Sequence, residues 1–239
     1  MHSLRHPFLF LAIFCLAINT CSQAALKNKS FFTFISQYIK NPTRVGAIAE
    51  SSPFVAKKIV TPLKKDLSKQ SRCICEIGAG MGALTERIVK ELREGDVLDV
   101  VELDPAYVEV LRKKFNNNPQ VRIHQADILT WQAPCKQYDF IIASLPMLVM
   151  ETAFVQELLK KYKELIKPGG TLSYIEYVGM TSLRLLYKHG AARIEWKKKV
   201  AMLRAFKQES VHTKTIVLFN IPPTYVHHLQ FKQPENKKH

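Results

Sequence analysis

Acidic residues are scarce in this 239-residue chain: 20 Asp and Glu stand against 35 Lys and Arg, a formal charge of +15. That surplus excludes an acidic, solvating chain and favours an anionic partner, either nucleic acid or an acidic membrane surface. Charge does not choose between the two, and many basic chains have no nucleic-acid role. Cysteine is sparse as well, at five. Cys15 and Cys21 lie near the amino terminus, and Cys73, Cys75 and Cys135 form no Cys-x-x-Cys pair. A disulfide scaffold is therefore disfavoured and a reducing compartment fits better. Cys73 and Cys75 sit two apart in a strand pattern, on one face, as buried thiols rather than a bridge. Nine Gly and twelve Pro exclude collagen-like and Pro/Gly low-complexity chains. No repeat of solenoid period is present. No metal-ligand spacing occurs, and the eight histidines are scattered apart from His227-His228. Hydrophobic residues at 47% are enough to offset chain entropy, so one domain or two small ones are expected.

A long apolar run occurs at Pro7–Ile18, behind Arg5 and His6 and ahead of the small-x-small sequence Ser22-Gln23-Ala24. This pattern resembles a secretory signal peptide. The run is short of the roughly 20 apolar residues of a spanning helix. Yet no charge falls between Pro7 and Leu26, so a retained anchor stays open, as does a start codon placed upstream of the true domain. With Lys27, Lys29, Lys40 and Arg44 behind it, an anchor would keep the following domain on the cytoplasmic side. A cleaved leader would instead direct export. Leu26–Lys40 places Phe31, Ile35 and Tyr38 on one helical stripe, and Phe32, Ile35 and Ile39 on the next, flanked by lysines. Asn41-Pro42 stops that helix. Such a face suits either an interfacial helix on anionic lipid or ordinary packing on its own domain. The expected organisation is a leader at 1–25, a basic aromatic helix at 26–44, a catalytic domain at 45–228 and a polar basic tail at 229–239.

From Ser71 strand and helix patterns alternate. Strands are expected at 73–77, 97–102, 121–124, 138–143 and 171–177, with one or two more in 211–219. Helices are expected at 83–93, after Asp104 through Lys114, and at 154–166, where Pro168-Gly169-Gly170 ends the last. This alternation predicts an α/β fold, a Rossmann-like doubly wound, mostly parallel sheet with helices on both faces. Ligands of such sheets bind at the carboxyl ends of the strands. There the chain places Glu76-Ile-Gly-Ala-Gly-Met-Gly82, a glycine turn that lets backbone amides approach a ligand. Its GxGxG spacing differs from the GxGxxG of dinucleotide binders. Glu102-Leu-Asp-Pro105 offers a carboxylate to ribose hydroxyls, Asp127 one to an exocyclic adenine amine, and Ser144-Leu-Pro-Met147 faces the reacting group. Each also has a purely structural reading: Glu102 as a helix-capping acid, Asp127 as a turn former, Pro146 as a loop stiffener.

EIGAGMG at 76–82, VELDP at 101–105, ADIL at 126–129, SLPM at 144–147 and IKPGG at 166–170 together resemble class I S-adenosylmethionine-dependent methyltransferases. Two branches share the look: ribosomal RNA adenine dimethyltransferases and bacterial phospholipid N-methyltransferases. RVGAIAESS at 44–52 resembles the RVGAIAPSS segment of the phospholipid branch, with Glu50 in place of its Pro. SLPML resembles its GLPLL loop, and Asn220–Val226 its NxPPAxV ending. The RNA branch carries Asn-Leu-Pro-aromatic, so Ser144 and Met147 lack its amide and its stacking ring.

The resemblance implies S-adenosylmethionine as cofactor, an anionic membrane and a lipid amine as partners, RNA as a less favoured one, and no metal. It implies cofactor contacts at Gly46, Ile48, Glu76, Gly78, Gly80, Gly82, Glu102, Leu103, Asp127 and Ile128. The reacting side falls to Ser144, Leu145 and Pro146, with Tyr38, Tyr174, Glu176 and Tyr177 as candidate proton acceptors. Each tyrosine has core packing as its ordinary alternative. The implied reaction converts phosphatidylethanolamine toward phosphatidylcholine; RNA adenine N6-methylation, or a membrane-binding module with a decayed site, is the alternative. Lys188–Arg204, with Trp196 among its cations, reads as a headgroup patch or a solvated helix face.

Overall fold

The central strands are buried on both faces, and their side chains alternate between two apolar clusters. In β1 (Cys73–Ile77), Ile74 joins one apolar cluster while Cys75 and Ile77 join another, because successive side chains of a strand point to opposite faces. The computed structural model describes residues 52–181, 189–220 and 223–232. The expected leader at 1–25, the expected helix at 26–44, and Tyr38, Gly46 and Ile48 lie outside the described residues.

Two short helices, α1 (Pro53–Ile59) and α2 (Thr61–Lys65), precede β1. Then follow α3 (Ala83–Val89), β2 (Val97–Glu102), α4 (Pro105–Phe115), β3 (Val121–Gln125) and β4 (Tyr138–Ala143). After them come α5 (Thr152–Leu165), β5 (Ile166–Tyr177), α6 (Gly190–Gln208), β6 (Ser210–Val217) and β7 (Thr224–Phe231). The strands form one sheet in the order β3-β2-β1-β4-β5-β7-β6. β1 to β5 are parallel, and β7 runs antiparallel to both β5 and β6. The expected Rossmann-like, mostly parallel sheet is the one observed.

Residues of α1 to α4 share one core cluster with one face of the sheet, and those of α5 and α6 share the other. The apolar stripe of α5 consists of Val155, Leu158, Leu159, Tyr162 and Leu165, all buried. That is helical spacing, and each buried aliphatic contributes about 1.5–3 kcal/mol.

Three expectations are corrected. α3 ends at Val89 rather than near 93. Buried Arg72 donates to the carbonyls of Leu63 and Glu91, at 2.9 and 2.8 Å, and through Nε to Asp96 at 3.0 Å, which turns the chain out of the helix. β5 begins at Ile166, not Thr171, because Ile166 is already extended and pairs with Tyr138, with a bulge before Thr171 pairs with Phe140. The expected tail from 229 starts inside β7, where Leu229 is fully buried. No described helix is long and apolar enough to cross a membrane.

Candidate active site

The parallel strands bring their carboxyl ends to one edge, and the glycine turn leaves β1 there. Gly78 and Gly80 have φ of +75° and +55°, a region in which a Cβ is strained. Packing adds a second demand that differs between them. A Cβ at Gly78 would stand 2.8 Å from Leu145 Cδ2, whereas one at Gly80 would meet nothing within 4 Å. Gly78 is thus glycine because the loop after β4 presses on it. Gly80 leaves its backbone open to a ligand. At Gly82 a Cβ would lie 2.8 Å from Leu111 Cδ2, so this glycine admits α4.

Gly78→Ala is expected to lower unfolding stability by about 1–3 kcal/mol through strain and overpacking. Leu145→Ala in the same chain should recover the packing part, read as a coupling energy in a double-mutant cycle by urea denaturation. Purely additive effects would remove the Gly78–Leu145 contact as the cause.

Glu102 ends β2 with both oxygens engaged. Oε2 accepts from Gly80 N–H at 2.8 Å, and Oε1 accepts from Leu103 and Asp104 N–H at 2.8 and 3.0 Å. The carboxylate thereby holds the glycine turn in shape while leaving acceptor capacity on Oε2 for a hydroxyl. This buttressing role was not visible in the sequence. Leu103 beside it is exposed.

Glu76 is fully buried, and neither carboxylate oxygen has a hydrogen-bond partner among the described residues. Burial pushes its carboxyl up to about 8, with the nearby Thr85 hydroxyl acting the other way and the Glu102 charge adding to the rise. A buried acid without a partner, next to a glycine turn, fits a ligand that brings a cationic amine. S-adenosylmethionine carries such an amine, together with ribose hydroxyls suited to Glu102, so the residues present fit that cofactor.

Asp127 takes up its structural role: Oδ1 accepts from Leu129 N–H at 2.9 Å and shapes the turn after β3. Ile128 is buried against the α5 side of the sheet. Ser144 N–H donates to the Ile77 carbonyl at 3.0 Å, so the loop after β4 is stitched to the end of β1. Gly78, Leu145 and Ser144 therefore converge, as expected. Pro146 accepts from Val149 N–H in the turn that follows.

The candidate proton acceptors separate. Tyr174 is buried, stacks on His227 at 4.8 Å, and burial first of all pushes its phenol well above the usual range. It is a core residue. Glu176 pairs with Lys207 at 3.2 Å, on the α6 side. Tyr177 ends β5, half-buried and in register with Thr224.

Two further groups were missed. In α6, Trp196 Nε1 donates to the Thr181 carbonyl at 3.3 Å, and buried Lys199 donates to the Met150 carbonyl. The helix thus ties down the segments after both β4 and β5. Trp196 and Lys199 are three apart, one face of a helix, and that spacing was the available signal. Neither the headgroup-patch nor the solvated-face reading holds for these two. Asn220 accepts from Ser52 N–H at 3.0 Å and donates to Thr224 Oγ1 at 2.9 Å, which joins the carboxyl-terminal motif to the amino-terminal one. Among the described residues no three His, Cys, Asp or Glu converge as a metal site.

The mixed sheet, the glycine turn and the two motif acids define a class I S-adenosylmethionine-dependent N-methyltransferase. The ribosomal RNA adenine dimethylase family matches residues 28–172, and the chain belongs to it. An ornithine lipid N-methyltransferase of Singulisphaera acidiphila is 26% identical over 152 residues, 62% of this chain and 78% of that protein. Ribosomal RNA small subunit methyltransferase A of Marinobacter nauticus is 44% identical over 79 residues, 33% of this chain and only 26% of that relative. Among solved structures, a putative O-methyltransferase from Klebsiella pneumoniae superposes with a TM-score of 0.61 at 14% identity, covering 83% of this chain and 90% of the other. The N-methyltransferase NodS from Bradyrhizobium japonicum, in complex with S-adenosyl-L-homocysteine, gives 0.56 at 17% identity, covering 80% and 96%. At such identities these structures show the fold alone.

Proposed function

We propose that the chain methylates the amine of a phospholipid headgroup, phosphatidylethanolamine toward phosphatidylcholine, at an anionic membrane surface. One observation carries this reading. β5 and β6 both run antiparallel to β7, and Tyr177 and Val217 both register with Thr224. The carboxyl end of β6 therefore lies on the ligand edge. There Leu218 and Phe219 are 64% and 76% exposed, and Phe219 meets Phe54, itself 55% exposed, with ring centroids 5.4 Å apart. An apolar lip at the mouth of a methyl-transfer site suits an acyl chain or a bilayer. We place the active domain on the cytoplasmic side of that membrane.

Bound at the glycine turn, S-adenosylmethionine supplies a methyl group already activated as a sulfonium. Glu76 would neutralise the cofactor's amine, and Gly78 and Gly80 would let the backbone approach. Glu102 would take a ribose hydroxyl, Leu103 and Ile128 would border adenine, and Asp127 would accept from its exocyclic amine. Ser144, Leu145 and Pro146 would hold the acceptor nitrogen against the methyl group. An ammonium has no lone pair, so a proton leaves first. Among the described residues Tyr177 is the candidate to accept it.

The second reading, RNA adenine N6-methylation, draws on the family match and the +15 charge. Met147 weighs against it: at the position of the stacking ring it is only 4% exposed, inside the core. Labelled methyl transfer decides. Anionic vesicles with phosphatidylethanolamine, the same vesicles without it, and undermodified ribosomal RNA are offered in parallel. Label in the amine lipid alone is expected. Label in RNA alone would overturn the lipid reading, and that activity would fall steeply with salt.

A further inference from the structure

We propose that Cys73 and Cys135 form an oxidisable dithiol that closes to a disulfide by exchange with a small-molecule disulfide such as oxidised glutathione. Neither the family nor the methyl-transfer reading assigns these residues a role. Their sulfurs lie 2.8 Å apart across 62 residues of sequence, and both cysteines are free. A disulfide needs about 2.05 Å, so closure asks for less than roughly 1 Å of side-chain movement.

The surroundings hold the pair in place. Cys73 opens β1, and its N–H donates to Asp139 Oδ2 at 2.8 Å. Cys135 stands three residues before β4, the strand paired with β1. Arg122 Nη2 lies 3.4 Å from Cys135 Sγ, a cation beside the sulfur that must ionise. Burial, and then the Cys73 sulfur, push the Cys135 thiol up to about 12, so Cys135 rests as a thiol at neutral pH. Both residues are half-buried and within reach of a small reagent, whereas Cys75 is fully buried.

The exchange balances. One cysteine, deprotonated, attacks a sulfur of oxidised glutathione, whose S–S bond breaks and releases one glutathione thiolate. The second cysteine loses its proton, attacks the protein sulfur of the mixed disulfide and expels the other glutathione. Two protein thiols lose two electrons, and the glutathione disulfide gains them and takes up the two protons. The bond lies at the amino ends of β1 and β4, opposite the glycine turn. It closes a ring in the unfolded chain without touching the cofactor site.

The test equilibrates the full chain in glutathione buffers from fully reduced to fully oxidised, then blocks remaining thiols with N-ethylmaleimide. The oxidised sample should take up two fewer N-ethylmaleimide groups than the reduced one, and non-reducing digestion should yield one linked peptide pair carrying Cys73 and Cys135. Its melting temperature should rise by about 5–15 °C, with S-adenosylmethionine affinity by calorimetry unchanged. Cys135→Ser and Cys73→Ser should each abolish that peptide, and Cys75→Ser should leave it. Absence of the linked peptide in fully oxidised buffer would overturn the proposal. So would a link that uses Cys75 or a leader cysteine instead, or glutathione that persists on Cys135. None of these readouts depends on which acceptor is methylated.

Discussion

Glu76→Gln should move two measurements in opposite directions: the ligand-free protein becomes more stable at pH 8, and S-adenosylmethionine binds at least tenfold more weakly. The first effect follows from linkage. The Glu76 carboxyl is raised from 4.5 to about 8 by burial above all. Between those values the folded protein holds a proton that the unfolded chain has released. Stability is therefore full below about pH 4.5, falls as pH rises through the window, and is flat above 8. Each unit is worth about 1.4 kcal/mol, so several kcal/mol are at stake. Glutamine removes that slope, which urea melts of ligand-free protein across pH 5–9 would reveal. The second effect follows from charge: the cofactor's cationic amine loses its partner. In the wild type that amine draws the carboxyl's proton off on binding. Titration calorimetry in buffers of different ionisation enthalpy should show proton release near pH 7, and none in the variant. Unaltered affinity together with an unaltered proton count would remove Glu76 from the cofactor site.

Glu102→Ala has the other large expected effect. The carboxylate accepts from three backbone N–H groups, those of Gly80, Leu103 and Asp104. Leaving such donors unpaired costs about 1–3 kcal/mol in stability. Cofactor affinity should fall at least tenfold, ~1.4 kcal/mol, through loss of the ribose acceptor and of the turn's shape. Hydrogen exchange separates the two causes. The amides of Gly80, Leu103 and Asp104 should lose protection in the ligand-free variant. Unchanged calorimetric binding by a folded variant would sink the ribose assignment, and unchanged protection would sink the buttressing role.

Local pattern carried the strands β1, β2 and β4, the face of α5 and the glycine turn. In each, apolar periodicity and backbone demand act within a few residues. The same holds for the positions of the acids at 76, 102 and 127 near strand ends, since strand ends are readable. Where long-range contacts compete, local pattern misled. Pro168-Gly169-Gly170 marks a break, but only pairing with β4 extends β5 back to Ile166. The end of α3 depends on Arg72, which bonds groups from three separate segments.

Tertiary structure alone distinguished the candidate tyrosines. Tyr174 and Tyr177 differ by three places on one strand, and so point to opposite faces. Only the packing of His227 shows which of them is core. Tertiary structure alone also joined Asn220 to Ser52, Lys199 to the loop after β4, and Cys73 to Cys135. Sequence thus determined the fold class and which residues stand near the strand ends, because both rest on short-range pattern. Partners many residues apart became visible only once the sheet had brought them together.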